Sequence, residues 1–408
     1  MSETEPAGRR TLPRGVALFV ATYTFGVVML GTTLPTPLYP LYEQHYHFDA
    51  LMTTIIYAVY AVGVLAALLL AGAASDTVGR RPLLLIGLAA SVISAVLFVT
   101  NAGLVVLFAG RVLSGISAGI FTGTATVALV ELASPARRAQ VGVLATAVNM
   151  FGLGCGPLLA GVLAAWLPAP LNLPYLANLV LLLPACGALW FLPETVRNRT
   201  GRWPRPRRPH VPAEARAVFV PAATVAFAAF GAFGMVAAVE PTFLRTLLHL
   251  PSPALAGLIV FAMFAGSALG QLALTRLAGR AALPLGCGVL ILGLALIGMG
   301  LAIESLVLLI LGTIVVGLGQ GITFSSGIAA ISAASPADQR AETISTFFVV
   351  AYVAISIPAV LVGLASTIWD LQVAGIAFTI TMGALTAAAL VAVLVIRRAQ
   401  QRALIASH

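Results

Sequence analysis

Long apolar segments alternate with short polar ones along almost the whole chain. Each apolar segment has about 20 residues or more, the length that an α-helix needs to cross a hydrocarbon layer of about 30 Å. In lipid every backbone N–H and C=O group must be satisfied within the segment, so the pattern predicts helices. We expect twelve spans, numbered in chain order, over residues 14–36, 50–74, 82–100, 104–130, 140–166, 174–192, 214–239, 254–275, 283–301, 305–330, 342–367 and 372–396.

The composition agrees with an all-α integral membrane protein. Of the 408 residues, 60% are hydrophobic and 9% are charged. The mean hydropathy is +1.04, which lies outside the range of water-soluble globular domains. The first apolar run follows three arginines, as in a signal peptide, but it is too long and no convincing small-residue cleavage site follows it. We therefore predict an uncleaved first span.

The positions of arginine predict the orientation in the membrane. All 22 basic residues are arginines. All but Arg111 and Arg245 precede the first span, occupy even-numbered loops or lie in the final tail. By the positive-inside rule, both termini and the even-numbered loops face the cytoplasm of a cell whose inner (plasma) membrane holds the protein. The net charge of +9 follows from this topology and requires no nucleic acid.

Other function classes are excluded or disfavoured by residues that the sequence lacks. A phosphate-binding Walker loop needs a lysine, and the chain has none, so its own ATP hydrolysis does not drive it. The three cysteines, Cys155, Cys186 and Cys287, lie in apolar segments without paired spacing. We expect them to be packing residues, with neither disulfides nor a metal site. We predict no enzyme and no cofactor.

The chain divides into two related halves. Residues 110–120 (GRVLSGISAGI) align with residues 312–322 (GTIVVGLGQGI) at one offset with three shared glycines, and Pro157 matches Pro358. An Arg- and Pro-rich segment, residues 195–216, lies between the halves. Its arginines fit either binding to anionic lipid headgroups or a solvated linker. Transporter repeats of this kind place a substrate site near the midplane between the halves.

The predicted division of the chain follows from these observations. We expect a cytoplasmic N-terminal tail over residues 1–13, a six-helix bundle over 14–192, a cytoplasmic linker over 193–213, a second six-helix bundle over 214–396 and a cytoplasmic tail over 397–408.

The loop between spans 2 and 3, GAASDTVGRRP, resembles the loop signature of the major facilitator superfamily. The resemblance implies two pseudo-symmetric six-helix bundles and a latch that engages the neighbouring half when the protein is open outward and releases it when open inward. A helix-turn-helix cap whose arginines set the topology is the alternative. The latch positions are Gly72, Asp76, Gly79, Arg80 and Arg81, and Glu131 at the end of span 4 is placed to join them.

Three further patterns are similar to those of twelve-span drug:proton antiporters. Leu30-Gly31 precedes PLYP at residues 37–40, and Arg111 is followed by glycines in span 4. In span 5 Ala160 stands where the family usually has a glycine. The resemblance implies a monomeric, proton-driven exporter of small amphipathic, drug-like compounds that works by alternating access. The span-5 antiporter motif comprises Gly152, Gly156, Pro157 and Gly161.

Arg111 is the most costly residue to place in a membrane. It lies roughly 10 Å deep in span 4, where a charge costs about 2.5–3.5 kcal/mol, so it should face a cavity. The resemblance implies a proton relay; bonding to backbone carbonyls of span 1 is the alternative. No acid lies deep in a span, which favours neutral or anionic substrates, and an anion can pair with Arg111. Glu240 is the nearest candidate proton carrier, unless it merely ends a helix before Pro241.

The outer segment EQHYHFD, residues 43–49, is predicted as a solvated loop. Uptake or export of a specific metabolite, and a transport-inactive receptor or assembly factor, are the alternative functions. The expected partners are a small-molecule substrate and membrane lipid. Candidate substrate contacts are the aromatic and amide side chains of spans expected at the cavity: Tyr23, Tyr57, Tyr60, Phe121, Asn149, Phe230, Gln320 and Tyr352.

Overall fold

The computed structural model describes residues 11–71, 74–196, 200–201, 209–274, 281–337 and 339–406. Within these ranges the chain is helical and contains no strand. The long helices are α1 (Arg14–Thr33), α2 (Ala50–Ala71), α3 (Arg80–Thr100), α4 (Leu104–Leu132), α5 (Arg138–Trp166), α6 (Leu173–Leu189), α7 (Ala213–Thr246), α8 (Pro253–Leu274), α9 (Ala282–Ala302), α10 (Leu306–Ala334), α11 (Arg340–Ile368) and α12 (Leu371–Ala406).

The helices confirm the all-α membrane class. Eleven of those in the described residues are long and apolar enough to cross a membrane, and α6 is an apolar helix of 17 residues. Three helices extend clearly beyond expectation. Helix α7 runs to Thr246 and does not end at residue 239. A short helix, Tyr39–Tyr46, extends the first span beyond α1. Helix α12 continues through most of the predicted tail, because no proline or glycine interrupts residues 384–406.

The two halves have matching contacts. In the first half α2 and α3 pack on α4, α1 packs on α5 and α3 packs on α6. In the second half α8 and α9 pack on α10, α7 packs on α11 and α9 packs on α12. The halves meet where α2 lies against α11 and where α5 lies against α8. Exchanging the halves converts one of these contacts into the other, so the bundles are related by a pseudo-twofold axis.

The glycines shared by the halves are points of close helix contact. A Cβ atom at Gly115 of α4 would lie closer than 3.0 Å to the carbonyl oxygen of Tyr60 in α2. A Cβ atom at Gly317 of α10 would approach the carbonyl oxygen of Met263 in α8 equally closely. Only glycine permits backbones to approach so closely. The duplicated sequence pattern therefore encodes one helix contact that is made twice.

Helix α5 uses its glycines against both halves. A Cβ atom at Gly156 would lie closer than 3.0 Å to the carbonyl oxygen of Leu30 in α1, and one at Gly161 would meet that of Pro253 in α8. Pro157 has no N–H to donate to the carbonyl of Leu153 one turn earlier. The hydroxyl of Thr33 in α1 donates to that oxygen instead, at 2.7 Å.

Candidate transport cavity

The loop motif between α2 and α3 forms a charge cluster. Gly79 adopts a φ of 116°, which a side chain would disfavour, and so turns the chain into α3. The buried Arg80 contacts Asp76 at 2.6 Å and Glu131 of α4 at 3.1 Å, and it also donates to the Ser75 hydroxyl. The cluster joins the connection between α2 and α3 to α4. Gly72 lies outside the described residues.

Glu194, which the sequence analysis missed, completes this cluster. Its carboxylate accepts hydrogen bonds from the backbone N–H groups of Arg80, at 3.0 Å, and Arg81, at 3.3 Å. These donors lie in the first turn of α3, where an anion also interacts favourably with the helix dipole. Thr195 donates to Glu131. An acid directly after the sixth apolar segment, on the side of the loop motif, was the available signal.

We call the side of the molecule that carries this cluster and the linker the linker side, and the other the opposite side. On the opposite side, Arg245 at the end of α7 forms an ion pair with Glu43 of the short helix Tyr39–Tyr46. Glu43 also accepts from Thr53, at 2.8 Å, and from Thr242, at 3.2 Å. The prediction that residues 43–49 form a solvated loop is therefore wrong for Glu43, which is 6% exposed because α7 covers it.

A cavity of about 520 Å³ lies between the two halves. Its wall residues near the opposite side, such as Thr36 and Tyr57, are buried, whereas Val127 and Thr146 near the linker side are exposed. The cavity is therefore closed on the opposite side and open toward the linker side. Its volume suits a drug-sized molecule.

Six of the eight predicted contact residues lie in the cavity wall. These are Tyr57, Tyr60, Asn149, Phe230, Gln320 and Tyr352. The other two expectations are corrected. Tyr23 faces α6, where its hydroxyl donates to the carbonyl oxygen of Leu181 at 2.7 Å. Phe121 is fully buried within the first half and stacks on Phe25.

Arg111 lies at the opposite-side end of the cavity and is 2% exposed. Its Nη1 donates to the carbonyl oxygen of Thr32 in α1 at 2.9 Å, and its Nη2 makes a longer contact of 3.4 Å with that of Tyr57 in α2. The guanidinium also lies over the rings of Tyr60, at 4.8 Å, and Tyr57, at 5.7 Å. The carbonyl contact expected with span 1 is present, and it coexists with a place in the cavity wall.

Glu240 is a buried carboxyl in α7. It is 4% exposed, and neither of its oxygens has a hydrogen-bond partner among the described residues. Phe233 and Ala237, which precede it at helical spacing on one face of α7, line the cavity. Glu240 therefore lies about one turn beyond the cavity, toward the opposite side, and α7 continues past Pro241 to Thr246.

The family model described as Major Facilitator Superfamily matches residues 21–357 and, in a second match, residues 222–407. The chain belongs to the Major Facilitator Superfamily. Like other members of this superfamily it is a transporter and not an enzyme. The second match of the family model covers the second half of the chain, which forms the second helix bundle.

Relatives in the superfamily match only parts of the chain. It is 30% identical over 166 residues to the class C tetracycline resistance protein of Escherichia coli, and the aligned region covers 40% of this chain and 41% of that protein. It is 36% identical over 108 residues to a triacylglyceride transporter of Mycobacteroides abscessus, and the aligned region covers 26% of this chain and 21% of that protein. The matches thus span less than half the length of these relatives.

Solved superfamily structures share the fold over nearly the whole chain. The human organic anion transporter MFSD10 has a TM-score of 0.67 at 18% identity, with 94% of this chain and 100% of that chain covered. A bacterial homologue of the human lysosomal transporter Spinster, in an inward-facing and occupied conformation, has a TM-score of 0.69 at 15% identity, with 94% and 97% covered.

Besides the predicted Gln320 and Phe230, the cavity wall contains residues that sequence reasoning missed. Residues Phe121–Ala125 of α4 form a π-helical turn, which re-aims the helix face and brings Thr122 and Thr126 into the wall. In the second half the amide oxygen of Gln320 accepts from the hydroxyl of Ser267 at 2.5 Å. The aromatic side of the wall is formed by Phe230, Phe233, Phe264, Phe324 and Phe348.

Proposed function

We propose that this chain is a proton-coupled secondary transporter that exports small amphipathic compounds by alternating access. The observation that carries the proposal is the cavity of about 520 Å³ between the halves, which is closed on one side and reached from the other. Its wall combines aromatic rings with hydroxyl and amide groups, a surface suited to compounds with an apolar body and a few polar groups.

We place the linker side in the cytoplasm, because arginine is concentrated in the segments on that side. In this orientation the cavity faces inward, which is the state in which an exporter loads its substrate. Export then requires the Glu43–Arg245 contact to open and the linker side to close. The Asp76–Arg80–Glu131 cluster, whose contacts here lie within the first half, is the proposed latch that engages the second half when the linker side closes. The transporting unit is proposed as a monomer in the inner membrane.

Glu240 is the proposed proton carrier. An ionised carboxylate without hydrogen-bond partners is costly in an apolar interior, whereas the protonated acid is tolerated. Opening of the opposite side would expose α7 near Glu240 to water and permit exchange of this proton. Proton release and substrate release could then be coupled to one conformational change.

The test is transport by the purified protein in liposomes with an imposed pH gradient and an entrapped pH-sensitive dye. Tetracycline and a set of naphthalene derivatives serve as probes. We expect probe and protons to move in opposite directions, and a protonophore to abolish accumulation of the probe. Movement of the probe in the same direction as protons would indicate uptake and contradict export. Accumulation that persists in the presence of the protonophore would show that transport is not coupled to protons. Binding of a probe without any flux would favour the receptor alternative.

A further inference from the structure

We propose that the opposite-side end of the cavity is an anion-binding subsite, in which Arg111 holds the carboxylate or sulfonate of an amphipathic organic anion. This inference rests on the proposed function, since it names the substrate class of the same cavity.

The charge of the cavity is the first observation. Among the described residues that line it, Arg111 is the one charged side chain, and no aspartate or glutamate belongs to the wall. No described carboxylate forms an ion pair with Arg111. A buried cation without a counter-charge is costly. The carbonyls of Thr32 and Tyr57 offset part of this cost, and an anion in the cavity would offset more.

The unused donors of Arg111 are the second observation. A guanidinium has five N–H donors, and its hydrogen bonds to described residues are those to Thr32 and Tyr57. The Nε atom is buried and has no partner in the described structure. The rings of Tyr57 and Tyr60 lie against the guanidinium. Donors that remain lie in the guanidinium plane, the direction in which a carboxylate binds with two parallel hydrogen bonds.

The rest of the cavity fits the body of such an anion. Thr36 lines the same end as Arg111 and offers a neutral hydroxyl group, whereas the hydroxyls of Thr32 and Thr33 donate to the carbonyl oxygens of Met29 and Leu153. Asn149, further along the wall, has a buried amide oxygen without a described partner, so it can accept a hydrogen bond from the ligand. The phenylalanines of the second half that line the cavity provide an apolar surface for a ring system. Head and body thus have separate places.

The experiment measures binding to the full chain in detergent by calorimetry, with no proton gradient. The probes are 2-naphthoate, 2-naphthamide and 2-naphthylmethylamine, which share one ring system and differ in charge. We expect 2-naphthoate to bind about 10- to 100-fold more tightly than the other two, the range for a charge-assisted bidentate contact. Arg111→Gln should abolish this preference, so that 2-naphthoate and 2-naphthamide bind with similar affinity. Arg216→Gln, at an exposed arginine of α7, is the matched control and should retain the preference.

Equal or tighter binding of the amide or the amine by the unmodified protein would overturn the proposal. Retention of the naphthoate preference in Arg111→Gln would overturn it as well. The probe series on the unmodified protein decides the matter if Arg111→Gln fails to fold, because Arg111 also joins α4 to α1 and α2. Anion binding without proton-coupled flux would sustain this inference and refute the proposed function. Proton-coupled export of cationic probes alone would do the reverse.

Discussion

Arg245 in the last turn of α7 donates to Oε2 of Glu43, which lies just beyond α1, so one ion pair joins the two halves on the side opposite the linker. Arg245 also donates from Nη1 to the carbonyl oxygen of Pro40, at 3.3 Å. The side chain of Arg245 is 25% exposed and that of Glu43 is 6% exposed, so the ion pair is mostly buried. Such a contact exists only while this side is closed, so it biases the closed state.

Glu43→Gln is expected to shift the protein toward the open state on the opposite side. Loss of the pair removes about 1–3 kcal/mol, between the values for exposed and buried pairs, from the closed state alone. Spin labels at the exposed positions Thr100 and Ile303, at the opposite-side ends of α3 and α9, report the distance between the halves. The variant should gain a longer-distance population. Glu304→Gln, at an exposed residue on the same side, should not gain this population. An unchanged distance in both variants would show that the Glu43–Arg245 pair does not stabilise the closed state.

Asp76→Asn is expected to slow transport while the protein stays folded and inserted. The Asp76 side chain is 62% exposed, and exposed ion pairs contribute only about 0–1 kcal/mol to stability. Asparagine keeps the turn but loses the charge that the latch requires. The thermal transition in detergent should therefore stay almost unchanged, while the initial rate of probe efflux should fall. Full transport by the variant would reduce the motif to a helix-turn-helix cap.

Gly156→Leu is expected to abolish transport without preventing membrane insertion. Any Cβ atom at this position collides with the backbone of Leu30, so α5 must move away from α1. Gly187→Leu is the matched control, because the space around the exposed Gly187 of α6 is open. Efflux by the two variants at equal membrane content is the measurement. Equal activity would show that the contact between α5 and α1 is dispensable.

The helices and the two halves could be predicted because their signals are local: apolar length, glycine spacing and a repeat. Arg111 could be placed in the cavity because a charge in lipid has few other solutions. The burial of Glu43 could not, since its partner Arg245 lies 202 residues later. The positions of Tyr23 and Phe121 were missed because apolar residues occur on every face of these helices. Sequence periodicity then does not distinguish the cavity from a neighbouring helix, and the π-helical turn in α4 alters the spacing further.

Thr33→Val is expected to destabilise the protein by about 0.5–1.5 kcal/mol, the net contribution of one intramolecular hydrogen bond, because a part-buried carbonyl loses its donor. The carbonyl is that of Leu153, which Pro157 leaves without a helical partner. Pro157→Ala restores an N–H at that position, so the double variant should lose less stability than Thr33→Val alone. A double-mutant cycle of thermal transitions measures this coupling. Additive effects would mean that the Thr33 hydroxyl does not replace the missing helical bond.

Glu240→Gln is expected to separate substrate movement from proton movement. Glutamine has the shape of the protonated acid but carries no exchangeable charge, and Glu240 lies outside the cavity wall, so probe binding should change little. Exchange of probe across the membrane without a gradient should persist. Accumulation driven by a pH gradient should be lost, because an ionisable residue within the membrane is expected to have a functional role. Glu304→Gln, which removes an exposed carboxyl on the same side, should retain both activities.

If Glu240→Gln still accumulates probe and a protonophore still abolishes that accumulation, another group carries the proton. A lower thermal transition with unchanged coupling would make Glu240 a structural residue of α7.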